Sequence, residues 1–262
     1  MSDTVKPKVS IVTPVYNGGR FIARALQSVR NQTYENIEHI VVDGASTDDT
    51  MTIVGHYRNR LAVVISEPDK GMYDALNKGF SRATGAIFCY LNSDDVFEPD
   101  AVALAVDAMT RANADLCVGN CIYIDEYDRE LFRYIGVPLD YSSARELCRI
   151  PFAQQTAFWS RHLHEEVGGF DDRMRYVADT KFFFNALRLS GRPPEHVNQY
   201  VARFRQHAGG FSTKAAKDME IEHQQVLSEI GLRPGMMRYI QEIRVKWINR
   251  VNICRRTCRR LR

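Results

Sequence analysis

Cys89-Tyr90-Leu91-Asn92-Ser93-Asp94-Asp95 is a short apolar run that stops at two adjacent carboxylates. Neighbouring aspartates repel each other, and a buried strand gains nothing from them. The pair belongs at the C-terminal end of a strand, facing a cleft, with a cation to offset the charge. In open α/β sheets ligands gather at that edge. Hard oxygen donors there suit Mg2+ or Mn2+, ions that arrive with phosphate groups. Taken alone, the pair reads more readily as a solvated turn, where Asp is common. The flanking sequence decides between the two.

Working outward, residues 8–125 alternate strand and helix. The apolar runs Val9–Val15, Ile37–Asp43, Ala62–Glu67, Ala86–Leu91 and Leu116–Ile124 predict strands. Between them, Phe21, Ile22, Leu26 and Val29 form a helical stripe. Thr52–Tyr57, capped by Asp48 or Asp49, and Tyr73–Phe80 predict helices. Pro99 opens another that runs to about Ala112. This alternation predicts an α/β domain of Rossmann type with a central, mostly parallel sheet flanked by helices. Later, strands are expected at Leu131–Ile135, Gln154–Trp159 and Val197–Phe204, and helices at Arg161–Val167 and Asp179–Leu189. From Thr213 the chain reads as helical, broken by Gly231 and Pro234.

Of the 262 residues, 45% are hydrophobic and 26% charged, as in soluble globular proteins. No apolar run approaches the ~18 residues of a membrane span. Val9–Val15 is short, holds Pro14 and lacks a cleavage site, so no signal peptide is expected. The six cysteines show neither zinc spacing nor a disulfide framework, which suggests a reducing, cytoplasmic setting. Charge is uneven: nine Lys and Arg against Glu242 give Met236–Arg262 a charge of +8. The rest of the chain therefore carries −5 of the overall +3. Within that tail Ile240, Ile243, Trp247, Val251, Cys254, Cys258 and Leu261 recur at helical spacing. A basic amphipathic helix over 234–262, peripheral at the inner face of a membrane, is one reading. A helix packed on the body is the other. Nothing else in the chain supports nucleic-acid binding.

Four predicted strands end in polar clusters: Thr13-Pro14-Val15-Tyr16-Asn17-Gly18-Gly19, Asp43-Gly44-Ala45-Ser46-Thr47-Asp48, Glu67-Pro68-Asp69-Lys70-Gly71 and Asn92-Ser93-Asp94-Asp95. Each alone reads as turn chemistry. Together they build one wall of a cleft able to hold a nucleotide, its diphosphate and a metal ion. The two glycines would allow close ligand approach, and the helix after them would offer its N-terminus to an anion. His162 and His164, two apart on a helix, do not share a face and read as surface residues.

In this order, the segments resemble the motifs of family 2 glycosyltransferases, which have the GT-A fold. The segment Glu67–Gly79 is similar to a version common in bacterial cell-surface polysaccharide enzymes. Gly168-Gly169-Phe170-Asp171, followed by Ala178-Asp179, resembles the acceptor-side motif. The match runs from about residue 8 to 212, and implies a nucleotide-sugar half over 8–95 and an acceptor half over 96–212 within a domain of residues 1–233.

The resemblance implies an inverting enzyme that moves a hexosyl or N-acetylhexosaminyl group from a nucleotide-diphosphate sugar, a UDP-sugar first, to a glycan or lipid-linked acceptor. Asp43 would read the base, with Thr13, Pro14 and Tyr16 lining its pocket. Asp69, Lys70 and Gly71 would follow the nucleotide, with Lys70 near the phosphates. Asn92-Ser93-Asp94 stands where the family has Asp-x-Asp. Asp94 is the first choice for the metal, Mn2+ or Mg2+, and Asp95 the second. Asp179 would be the base, although without the resemblance it reads as a helix cap. Ala178 replaces the usual Glu. Gln154 and Gln155 would face the acceptor. His207, with Gly209, Gly210 and Ser212, resembles a mobile segment closing over the diphosphate. GDP- or dTDP-sugar donors, a nucleotide-sugar phosphohydrolase and a non-catalytic nucleotide-sugar binding module are the alternatives.

Overall fold

The computed structural model describes residues 6–210, 215–232 and 241–249. β1 (Val9–Val15) is buried along its whole length. It lies between β2 (Ile37–Asp43) and β4 (Ile87–Tyr90), both parallel to it, and β3 (Val63–Ser66) extends the parallel run beyond β2. The chain thus moves outward from β1 to β3, then crosses back to place β4 on the other side of β1. This reversal opens a crevice at the C-terminal ends of β1 and β4, the usual ligand position in open α/β sheets.

Pro14 marks where that crevice begins. The Val9 N–H donates to the Asn36 carbonyl, and the Val15 carbonyl accepts from Gly44, both on the β2 side. The Val12 carbonyl accepts from Leu91 on the β4 side. By alternation Pro14 also faces the β4 side, past the last paired residue, Tyr90. A residue without an N–H is tolerated there because the neighbouring strand has already turned away.

The second half is mostly antiparallel. β8 (Ala157–Ser160) pairs with β4 and with β6 (Leu116–Ile124); β9 (Glu195–Arg205) runs parallel to β6. The short β5 (Val96–Phe97) pairs with β9, and β7 (Glu130–Tyr134) with the far end of β6. The sheet order is β3-β2-β1-β4-β8-β6-β9-β5, with β7 beside β6. Parallel pairing therefore holds the first four strands and returns only between β6 and β9.

Helices cover the sheet: α1 (Ile22–Arg30), α2 (Thr50–His56), α3 (Met72–Phe80) and α4 (Ala101–Ala112) in the first part. α5 (Tyr141–Leu147), α6 (Arg161–Val167), α7 (Ala178–Ser190) and α8 (Ala216–Glu229) follow. α3 starts at Gly71, whose φ of 134° is open to glycine and strained for other residues. Between α3, α6 and α7, the rings of Phe80, Trp159, Phe170 and Phe182 pack against one another.

His164 lies within this aromatic cluster, which corrects its reading as a surface residue. Trp159 Nε1 donates to its Nδ1 at 3.3 Å, and burial pulls the imidazole down to about 4, so it stays neutral. His162 is exposed as expected. Two-apart spacing separates faces but does not say which face turns inward. α5 and β5 were not foreseen: Tyr141–Leu147 is largely polar, and two residues give no period. Asp140 caps α5 by accepting the Ser143 N–H at 2.7 Å.

Residues 241–249 form a helical turn that docks through Val245 and through Asn249, whose Oδ1 accepts the Ile135 N–H at 2.8 Å. Ile243 and Trp247, both on the expected apolar stripe, are exposed. The rest of that stripe, from Val251 on and at Ile240, lies outside the described residues. Among the described residues no helix is long and apolar enough to cross a membrane.

α3 lies so close to the sheet that a Cβ at Gly79 would come within 2.4 Å of Val12 Cγ1 and 3.1 Å of Val42 Cγ2. Both valines are fully buried and stiff at χ1. Gly79→Ala is expected to lose about 1–3 kcal/mol of stability. A lowered urea midpoint at unchanged slope would show it; an unchanged midpoint would refute the tight fit.

Candidate active site

The loop after β1 is laced to the loop after β2. Asn17 Oδ1 accepts the Thr47 N–H at 2.9 Å, and the Asn17 N–H donates to Ser46 Oγ at 2.8 Å. The Gly18 N–H goes to Thr50 Oγ1 at 2.9 Å, and the Gly19 N–H to Asp48 Oδ2 at 3.0 Å. The N–H groups of Phe21 and Ile22 turn back to the Gly18 carbonyl. The N–H groups of Asn17, Gly18, Gly19, Phe21 and Ile22 thus have partners within the protein, and the tight glycine turn serves to fasten the two loops together.

Thr13 is buried, its hydroxyl 2.9 Å from Nε2 of His39, whose imidazole burial pulls down to about 3. Pro14 is buried as well. Tyr16, 65% exposed, is the one member of this expected trio that stands open. Asp43 is fully buried: its two oxygens each lie 3.2 Å from the Ser46 N–H, and Oδ2 accepts the Ser66 hydroxyl at 2.7 Å. It ties β2 to β3, and neither oxygen meets solvent. Asp69 lies near it, only partly buried, with Oδ1 accepting the Gly71 N–H at 2.8 Å. Burial chiefly, with the charges of Asp74 and Asp43, raises the Asp69 carboxyl. Lys70 does not point toward the strand ends. Its ammonium pairs with Asp172, 3.2 Å away on the acceptor side, in an exposed contact worth little by itself.

At the end of β4 the two carboxylates part. Asp95 turns inward, 1% exposed, accepting the Arg205 backbone N–H at 2.9 Å and the Asn92 amide at 3.3 Å. Burial, with the Asp94 charge behind it, pushes its carboxyl well up. Asp94 stays partly open, with His207 Nε2 3.1 Å from its Oδ2. Of the pair, Asp94 therefore keeps an open carboxylate, while that of Asp95 is taken up by the fold. Ser93 packs on Gly18, bringing the β1 and β4 loops together. Asn92 Oδ1 is buried without a hydrogen-bond partner among the described residues.

Beneath them lies Arg205, 2% exposed. Its Nε donates to the Asp94 carbonyl at 2.8 Å, and Nη1 to the Asp125 carbonyl at 3.0 Å. Nη2 pairs with Asp128 at 2.7 Å. The guanidinium stacks on Phe21, 4.8 Å from the ring centre, and the His207 ring packs on Phe21 too. Phe21 thus joins the buried cation to the imidazole that meets Asp94. Gly209 and Gly210 fold around His207, while Ser212 lies outside the described residues.

Across the cleft, Asp179 sits in the first turn of α7, partly buried. Its Oδ1 accepts the Thr180 N–H at 2.8 Å and lies 3.1 Å from the Tyr73 hydroxyl. The same hydroxyl lies 2.9 Å from the Tyr176 carbonyl, so its one proton is shared between two acceptors. Burial lifts Asp179 to about 6 against the opposing pull of these hydrogen bonds. At neutral pH it is an anion basic enough to take a proton. Burial chiefly, with the charge of Asp179 and then that of Asp95 behind it, pushes the Tyr90 hydroxyl well up. Tyr90 OH, Gln154 Oε1 and Gln155 Nε2 are buried without hydrogen-bond partners among the described residues. Gln155 itself is 1% exposed.

A divalent cation fits this donor set as part of a larger complex. Among the described residues no three His, Cys, Asp or Glu side chains gather into a cage. Asp94 and His207 supply one carboxylate and one imidazole, leaving the remaining positions to a ligand's own oxygens, such as those of a diphosphate. An imidazole beside a carboxylate suits Mn2+ better than Mg2+.

Sequence reasoning missed Tyr73, Tyr90, Phe21 and Arg205. Tyr73 stood within a quoted motif, and Arg205 directly follows the expected strand Val197–Phe204. A charged residue closing an apolar strand was the available signal.

The family model described as "Glycosyl transferase family 2" matches residues 10–179. An uncharacterized glycosyltransferase of Rickettsia prowazekii is 30% identical over 222 residues, which cover 82% of this chain and 69% of the relative. Among solved structures, Staphylococcus aureus TarS 1-349 in complex with UDP-GlcNAc aligns with a TM-score of 0.71 at 19% identity, over 89% of this chain and 69% of its own. A mannosyltransferase from Pyrobaculum calidifontis in complex with GDP-Man and Mn2+ aligns with a TM-score of 0.63 at 21% identity, over 92% and 70%.

The raised Asp179 has a consequence for stability. A carboxyl that titrates near 6 when folded and near 4 when unfolded favours the fold below about pH 4. That contribution is lost as the pH rises through 6. Asparagine keeps the Oδ1 acceptor without the charge. Asp179→Asn is expected to be more stable than the wild type at pH 7.5, by on the order of 1–3 kcal/mol. Thermal unfolding across pH 4–7.5 checks this: the gap should close toward pH 4, and a gap independent of pH would contradict it.

Proposed function

The chain belongs to glycosyl transferase family 2 and is a glycosyltransferase of GT-A fold, and from that premise we propose an inverting, metal-dependent transfer from a nucleotide-diphosphate sugar, a UDP-sugar, to a hydroxyl of a glycan or lipid-linked acceptor in surface polysaccharide assembly. The observation that carries this reading is Asp179, a partly buried carboxylate that burial lifts to about 6, held in the first turn of α7 by the Thr180 N–H and the Tyr73 hydroxyl.

Asp179 accepts the proton of the acceptor hydroxyl as that oxygen attacks the anomeric carbon. Tyr73 holds the carboxylate in place. Asp94 and His207 would hold the diphosphate end of the donor together with a divalent cation, which when bound would supply Lewis-acid stabilisation of the leaving group. With the base on one face of the sugar and the diphosphate on the other, a single displacement inverts the anomeric centre. Tyr16 and Asp69 are the open groups for base and ribose. The unpartnered Tyr90, Gln154 and Gln155 atoms suit sugar hydroxyls, since a buried polar group gains most from a partner that supplies what it lacks.

Peripheral contact with a membrane belongs to the same reading. Val245 and Asn249 hold the helical segment 241–249 to the body, so Ile243 and Trp247 are left outward with Arg244 and Lys246 close by. That is the arrangement of an interfacial helix on an anionic surface.

A panel of UDP-, GDP- and dTDP-sugars with Mn2+ or Mg2+ tests the function through nucleoside-diphosphate release with and without lipid-linked acceptors. Release equally fast without acceptor would identify a hydrolase instead. Asp179→Asn should lower transfer roughly 10²–10⁴-fold with donor affinity kept, and Asp94→Ala should lose metal-dependent nucleotide binding. Replacing both Ile243 and Trp247 by Glu should abolish sedimentation with phosphatidylglycerol vesicles; unchanged sedimentation rules out the membrane contact.

A further inference from the structure

We propose that Glu222, on α8, is a positioning residue for Asp179: its carboxylate gathers the backbone that leads into α7 and so sets where the carboxylate of Asp179 stands. The proposal rests on the reading of Asp179 as the base. Glu222 lies beyond the matched residues 10–179 and belongs to none of the strand-end motifs.

The geometry is specific. Glu222 Oε1 accepts the Arg175 N–H at 2.7 Å, and Oε2 accepts the N–H groups of Tyr176 and Val177 at 2.6 and 2.8 Å. Three consecutive backbone donors thus converge on one carboxylate, two residues ahead of Asp179. α7 has no side-chain cap of its own, since the N-cap position is Val177. A helix start without a local cap needs acceptors from elsewhere, and Glu222 supplies them at the preceding residues. Tyr73 closes the arrangement from the other side, its hydroxyl 2.9 Å from the Tyr176 carbonyl. The backbone of Tyr176 is therefore met at its N–H by α8 and at its carbonyl by α3.

α8 is built to hold Glu222 there. Glu229, two turns on and on the same face, pairs with Lys181 at 2.8 Å, and Val226 between them is fully buried. Lys181 is also held by Asp171 at 2.8 Å. Its charge is thus directed along α7 toward Asp171 and Glu229 rather than toward Asp179. Among the described residues, the ionisable groups that bear on Asp179 include Tyr73 of α3, Tyr90 of β4 and the carboxylate of Glu222 on α8. Its negative charge adds to the burial that raises Asp179. Glu222 therefore acts on the base in two separable ways, through the backbone it binds and through its charge.

The full-length protein with 13C-labelled aspartate carboxyls gives the test, with the Asp179 signal assigned by its loss in Asp179→Asn. In Glu222→Gln the Asp179 midpoint should fall by roughly 0.5–1 pH unit, because a like charge is gone. Hydrogen exchange at Arg175, Tyr176 and Val177 should quicken. Glu222→Asp keeps the charge but retracts by one methylene. It should leave the midpoint raised while exchange still quickens. An unchanged midpoint in Glu222→Gln overturns the proposal, as does unchanged exchange at the three amides in Glu222→Asp if the first variant does not fold. If Asp179→Asn retains transfer while Glu222→Gln still moves the midpoint, the base reading fails and the positioning contact stands.

Discussion

The side-chain amide of Asn77 holds the backbone of Phe170 at both of its polar atoms, with Nδ2 2.7 Å from the carbonyl and Oδ1 3.0 Å from the N–H. This pair joins the parallel first part of the chain to the mostly antiparallel second part. Asn77 and Tyr73 are four apart on α3 and share a face, so one holds the Gly-Gly-Phe-Asp segment and the other reaches the start of α7. The close approach of Gly79 to Val12 and Val42 presses the same helix onto β1 and β2. α3 is thus a rigid strut from the central strands to Asp179. A net ~1 kcal/mol per hydrogen bond understates it, because breaking the pair would leave buried polar atoms unsatisfied.

That strut gives physical meaning to motifs that the sequence presented only as words. Residues 67–79 and 168–171 resembled family motifs separately; in space they are two sides of one contact. β1, β2, β6 and α6 fall where periodicity places them, because buried parallel strands are nearly all apolar and amphipathic helices repeat on a fixed period. The strand order β3-β2-β1-β4, by contrast, is set by a crossover that the alternation of elements does not fix.

Pairwise geometry was less legible. Adjacent aspartates look alike in sequence, yet Asp95 faces the Arg205 backbone and Asp94 faces His207, because the chain turns at Ser93-Asp94 between β4 and β5. Gly18 and Gly19 read as ligand-binding positions, but their donors bond to Thr50 and Asp48, some thirty residues on. Arg205 and Glu222 escaped notice because each acts over a hundred residues or nearly fifty away, beyond the reach of local pattern. What a strand or helix is can be read locally. Which polar atom meets which depends on tertiary packing.

A cleft lined by strand ends carries a hazard of its own. Where β4 turns away, the last residues of β1 lose their ladder partner on that side, and a backbone donor left there would be buried without an acceptor. Pro14 stands on that flank with no N–H to offer. One imino acid thus removes the donor that the end of the β1–β4 pairing would otherwise orphan.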